Sequence, residues 1–158
     1  MVASSLRVEG ADQFFALARR LKEAGDKDLQ RELYRGLNRA VKPLTASVRQ
    51  SALETLPSQG GLNVTIATGS KVKVQRRTGA RSVGIKLIAT AQTPKGRDRD
   101  LAGMDKGKLR HPLFGNRGFW YPQAIAPGWW TKPTGRAGPV VRAELLKVME
   151  EVRRKIEG

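Results

Sequence analysis

Leu56-Pro57-Ser58-Gln59-Gly60-Gly61-Leu62 separates two periodicities, and the reading on either side of it decides the fold class. Upstream, Leu29, Leu33, Leu37, Val41, Leu44 and Val48 recur every three or four residues, the spacing that lines one face of a helix. Asp26 or Asp28 can start this helix, because a short carboxylate accepts from the free amides of a first turn. Pro43 falls inside it and removes one backbone donor, which predicts a bend. Downstream the period changes. Leu62, Val64 and Ile66 alternate with Asn63, Thr65 and Ala67, which predicts a half-buried strand. Val72 and Val74 alternate with Lys71, Lys73 and Gln75, and Val83, Ile85 and Leu87 alternate on a return toward Thr90. Between them, Arg76-Arg77-Thr78-Gly79-Ala80-Arg81 reads as a basic hairpin tip, with Gly79 free to adopt positive φ. Helices followed by two or three antiparallel strands make an α+β fold.

Working outward, Asp12 is the expected cap of an earlier helix whose apolar face is Phe14, Leu17, Ala18 and Leu21, with Gly25 as its stop. At the other end, Pro139 suits a first helical turn, and Val141, Leu145, Val148 or Met149, Val152 and Ile156 line one face. Glu150 and Arg154, and Glu151 and Lys155, stand four apart in the favourable order. The expected organisation is one domain over 1–158: N-terminal helices over 11–56, a sheet with its hairpin over 62–92, a loop with a short strand over 93–137, and a C-terminal helix over 139–157. Within 93–109, Leu101 and Met104 are the large apolar anchors of an otherwise charged, glycine-containing connection.

The chain has nine aromatic residues, of which Phe114, Phe119, Trp120, Tyr121, Trp129 and Trp130 fall in a single segment. Pro112, Pro122, Pro127, Gly115, Gly118 and Gly128 interrupt it, so it is read as an aromatic-rich loop with a short strand through Phe119 to Ile125. Two readings stand side by side. The rings cap one end of the core, each burying about 150–250 Å², or some of them anchor another chain.

Thirty Lys and Arg against fourteen Asp and Glu leave a net charge of +16. The excess is concentrated: from Thr55 to Arg97 there are eight basic residues and no acid. Such a balance points to an anionic partner. Lys71, Lys73, Arg76, Arg77 and Arg81 are the candidate contacts to DNA or to an acidic protein, each neutralised phosphate adding salt-dependent affinity without sequence preference. The competing reading is that lysines on an exposed strand edge discourage unwanted pairing.

The absence of cysteine excludes disulfides and thiolate metal sites, and the single histidine, His111, cannot build a multi-histidine centre. Asp98, Asp100 and Asp105 could approach a divalent ion, but lack the glycine and terminal glutamate of a calcium loop. Gly60-Gly61 leads into an expected strand, unlike a phosphate-binding loop. No catalytic residue, metal or cofactor is expected, and the chain is read as a non-enzyme. No apolar run approaches the roughly 18 residues of a membrane span, and no signal segment is read at the N-terminus, so the expected compartment is a cytoplasm.

Leu109-Arg110-His111-Pro112-Leu113-Phe114-Gly115-Asn116-Arg117, then Trp120 and Gln123, then Pro127-Gly128-Trp129-Trp130, is similar to a signature of the tail-completion or minor tail proteins of long-tailed bacteriophages, in phages of actinobacteria. The order of elements around it resembles the same family. The resemblance implies an α+β subunit assembling as a homo-oligomeric ring, six-fold by expectation, in the neck between head connector and tail tube. It implies as partners the head connector or stopper, the tail tube or terminator, and genome DNA in the lumen, all within the virion assembled in a bacterial cytoplasm. Arg110, His111, Phe114, Trp120, Trp129 and Trp130 become candidate docking residues, and 69–81 a candidate lumen or partner loop. Two alternatives remain: a tail terminator of the same neck, and a free nucleic-acid-binding protein without sequence specificity.

Overall fold

In the computed structural model the longest element is a 29-residue helix, Lys27–Thr55. The structure describes every residue except Arg7, Glu9, Ala80, Arg81 and Phe114, and describes no side chains for residues 4–6, 77–79, 82–83 and 113. The order is β1 (Val2–Leu6), α1 (Ala11–Glu23), α2 (Lys27–Thr55), α3 (Leu62–Gly69), β2 (Lys71–Gly79), β3 (Ser82–Thr90), α4 (Leu101–Asp105), β4 (Lys108–Leu113), β5 (Asn116–Ala124), α5 (Thr131–Arg136) and α6 (Gly138–Glu157). This is an α+β fold with a long N-terminal helical region, two small antiparallel sheets and a C-terminal helix.

The long helix starts as its sequence predicts: the Asp26 carboxylate accepts from the Leu29 amide at 3.1 Å. Pro43 lies inside it, and Leu33, Leu37, Val41, Leu44 and Val48 are buried. α1 starts differently. Gly10, at φ 86°, occupies the cap position without a side-chain hydrogen bond, and Asp12 sits in the first turn, where its charge favours the positive end of the helix dipole.

α6 packs along α2 with Val141, Leu145, Val148, Met149 and Val152 buried, whereas Ile156, expected on that face, is exposed. The Glu150–Arg154 pair forms at 3.4 Å within the helix. The expected Glu151–Lys155 pair is replaced by contacts across the helices, Lys155 to Glu32 and Glu151 to Arg39 at 3.8 Å. At the closest approach Gly36 faces Val148, and a Cβ there would lie 2.3 Å from Val148 Cγ1. Gly36→Ala is therefore expected to lower stability by about 1–2 kcal/mol net, overpacking outweighing alanine's better helix propensity. Val148→Ala in the same chain should recover part of that loss in urea unfolding.

The main sheet has the order β1-β3-β2. β2 and β3 form the expected hairpin, with Val72 opposite Ala89 and Val74 opposite Leu87. The third strand is β1, which precedes the first expected helix; it pairs antiparallel with β3, and Val2 is buried.

The predicted strand at Leu62–Ala67 is instead helical, and this is the main correction to the fold. Gly60 and Gly61 adopt φ of 70° and 73°, a conformation that favours glycine, and reverse the chain onto α2. Asn63 Nδ2 then donates to the Leu53 carbonyl at 3.1 Å, tying α3 to the end of α2. Thr65, Thr68 and Ser70 hydroxyls donate to carbonyls four residues back at 2.6 to 2.9 Å. Ile66 and Ala67 are buried while Val64 is half exposed, so Leu62 and Ile66 follow the helical spacing hidden inside their alternation.

Candidate interaction surfaces

The aromatic segment is a hairpin followed by a core turn. β4 and β5 pair antiparallel, with Arg110 opposite Pro122, His111 opposite Tyr121 and Pro112 opposite Trp120, and a bulge after Pro112. Gly107 supports the base, since its φ is +84° and a Cβ would meet the Ile125 carbonyl oxygen at 2.8 Å. Leu109 and Ile125 are the partly buried residues that join this base to the core. Beyond them every residue of β5 is exposed, with Phe119 at 65%, Trp120 at 49% and Tyr121 at 56%.

Because side chains alternate along a strand, the hairpin has two unlike faces. Lys108, Arg110 and Trp120 share one, and His111, Phe119 and Tyr121 share the other. The His111 and Tyr121 rings are 6.0 Å apart. The first face borders a cavity of about 530 Å³, whose other walls come from Leu62, Thr93, Arg99, Asp100, Met104 and Leu109.

Trp129 and Trp130, expected as docking elements toward a neighbour, are both fully buried at 0% exposure. Their rings lie 5.9 Å apart, and Trp129 Nε1 donates to the Leu101 carbonyl at 3.3 Å. The buried Asp105 carboxylate accepts from the Trp130 amide at 2.9 Å and the Thr131 amide at 3.0 Å. Bulk and hydrogen bonding thus commit both tryptophans to the core. Arg110 and Trp120 are exposed on one hairpin face and His111 is half-buried on the other, while Phe114 lies outside the described residues.

The central acids are dispersed among structural roles. Asp98 bridges to Gln92, Asp100 accepts from the Gly103 amide to cap α4, and Asp105 holds the tryptophan turn. Among the described residues no group of three or more His, Cys, Asp or Glu could hold a metal ion.

The basic residues of β2 divide in the same way. Lys71 and Lys73 are exposed on the outward face of an edge strand, where Lys86 stands opposite Gln75. Arg76, expected beside them, lies on the helix-facing side, its guanidinium 3.9 Å from the centre of the Tyr34 ring. It is held by a cation–π contact and does not extend the lysine row. The Arg77 side chain and Arg81 lie outside the described residues.

The docking set expected from sequence omits Phe119 and Tyr121, because a loop assigns its side chains to no common face. The strand expected from Phe119 to Ile125 carried the signal that separates them from Trp120. Among the described residues no helix is long and apolar enough to cross a membrane. No family model, curated protein or solved structure matches this chain.

Proposed function

We propose that the chain is a structural virion protein of a phage head-tail junction, a ring subunit that acts as tail completion or tail terminator protein and docks through the β4–β5 hairpin. The supporting observation is the face bearing His111, Phe119 and Tyr121, which leaves two large rings more than half exposed on a projecting two-stranded ribbon. A lone two-stranded hairpin is marginally stable in water, and exposed aromatic anchors of this kind dominate protein interfaces. A neighbour that covers the ribbon answers both points, and a contact between unlike faces builds a ring when its rotation closes. The family resemblance of 109–133 supplies the virion setting.

Phe119→Ser combined with Tyr121→Ser is expected to change stability by no more than about 0.5 kcal/mol, as for surface substitutions elsewhere. The same pair should abolish ring formation, measured by native mass spectrometry with and without tail components. Rings that persist in the double variant would remove the hairpin from the interface. A wild-type chain that stays monomeric and inert toward those components would remove the whole reading.

A second reading, nucleic-acid binding, is favoured by the exposed Lys71 and Lys73 on a sheet face that also carries Lys86. If that face meets phosphates, Lys71→Gln with Lys73→Gln should weaken duplex binding and lower the salt slope by about 1 per lost contact. Filter binding across salt concentrations checks it.

A further inference from the structure

We propose that the cavity between the hairpin and α4 is a nucleotide-binding pocket, taking a planar base against Trp120 and its phosphate among Arg99, Lys108 and Arg110. The inference does not depend on the ring reading. The cavity, about 530 Å³, is in the size range of small-ligand sites.

Its chemistry is asymmetric. Three cationic side chains line it against a single carboxylate, Asp100, whose Oδ1 is already engaged by the Gly103 amide at 2.9 Å. Arg99 is half-buried in a wall of the cavity. Together with Lys108 and Arg110 it offers charge-assisted donors to an anionic ligand oxygen.

The apolar part is equally specific. Trp120 is 49% exposed, and its indole nitrogen is occupied by the Arg117 carbonyl at 3.0 Å. Its contribution to a ligand is therefore the ring face, which stacks on any base. Leu62 and Met104 supply an apolar wall. Strand alternation places Lys108, Arg110 and Trp120 on the same side of the hairpin, so cation and ring are presented together. An anion without a flat apolar part would leave the indole unused, and an uncharged ring would leave the cationic lining unused.

Isothermal titration calorimetry on the full chain tests this with dTMP, thymidine, inorganic phosphate and an oligo-dT of about 12 nucleotides. dTMP should bind saturably, and thymidine and phosphate each at least about ten-fold more weakly, since stacking and charge both contribute. Arg110→Gln and Trp120→Leu, both at exposed positions, should each weaken dTMP about ten-fold with unchanged thermal melting, while Arg19→Gln, at an exposed position of α1 outside the cavity, leaves it unchanged. Oligo-dT binding much tighter than dTMP, and displaced by it, identifies the ligand as a unit of a single strand; equal affinities identify a free nucleotide. Absence of dTMP binding, phosphate binding as tightly as dTMP, or either pocket variant binding as wild type would overturn the proposal.

Discussion

Trp129→Ala or Trp130→Ala is expected to cost about 3–5 kcal/mol of folding stability, the range for truncating a large buried aromatic residue. Both rings are fully buried and pack on each other at 5.9 Å. Alanine at either position would also open a cavity between the α4–α5 region and the rest of the core. Trp129→Ala carries a further loss, because the Leu101 carbonyl would lose its indole donor. Phenylalanine should retain much of the packing and cost less. Urea unfolding of the purified chain reads these values directly, without any assembly partner. A denaturation midpoint equal to wild type, together with lost assembly, would return the two residues to a docking role.

Asp105→Ala is expected to cost about 2–4 kcal/mol, because it strands two backbone amides away from water. The Asp105 carboxylate is nearly buried, and one oxygen serves the Trp130 amide at 2.9 Å, the Thr131 amide at 3.0 Å and the Thr131 hydroxyl at 3.4 Å. The Asp105 backbone takes part as well, its carbonyl accepting from Gly128 at 2.8 Å. Asp105→Asn should cost less, since an amide oxygen still accepts, but without charge assistance. The effect should also be non-additive with Trp130→Ala by more than about 0.5 kcal/mol, as expected for residues in direct contact. Strict additivity in a double-mutant cycle would show that the carboxylate does not position the tryptophan turn.

Within the charged connection of 93–109, anchors and acids differ in how far the sequence reveals them. Leu101 and Met104 were legible as anchors, and both are buried. The structural role of Asp105 is not legible there, because a carboxylate's partner is invisible in sequence when it lies 25 residues away, as Trp130 does. The candidate nucleotide pocket was hidden for the same reason. Leu62, Arg99, Lys108 and Trp120 come from four separate stretches of chain, and none marks a motif alone.

By itself the sequence determined the amphipathic helices of 11–23, 27–55 and 138–157, the β2–β3 hairpin and the positive middle of the chain. Each follows from spacing or composition over neighbouring residues, which local backbone geometry reads without outside help. Only the tertiary structure decided that Leu62–Gly69 is helical, that Val2–Leu6 completes the sheet, that the tryptophan pair is core and that the hairpin has a cationic and an aromatic face. In each case the deciding partner arrives from a distant segment: the Leu53 carbonyl for Asn63, β3 for β1, Asp105 for Trp130, and the register of β4 against β5. Alternation can suit a strand or one turn of helix equally well, and contacts formed only on folding choose between them.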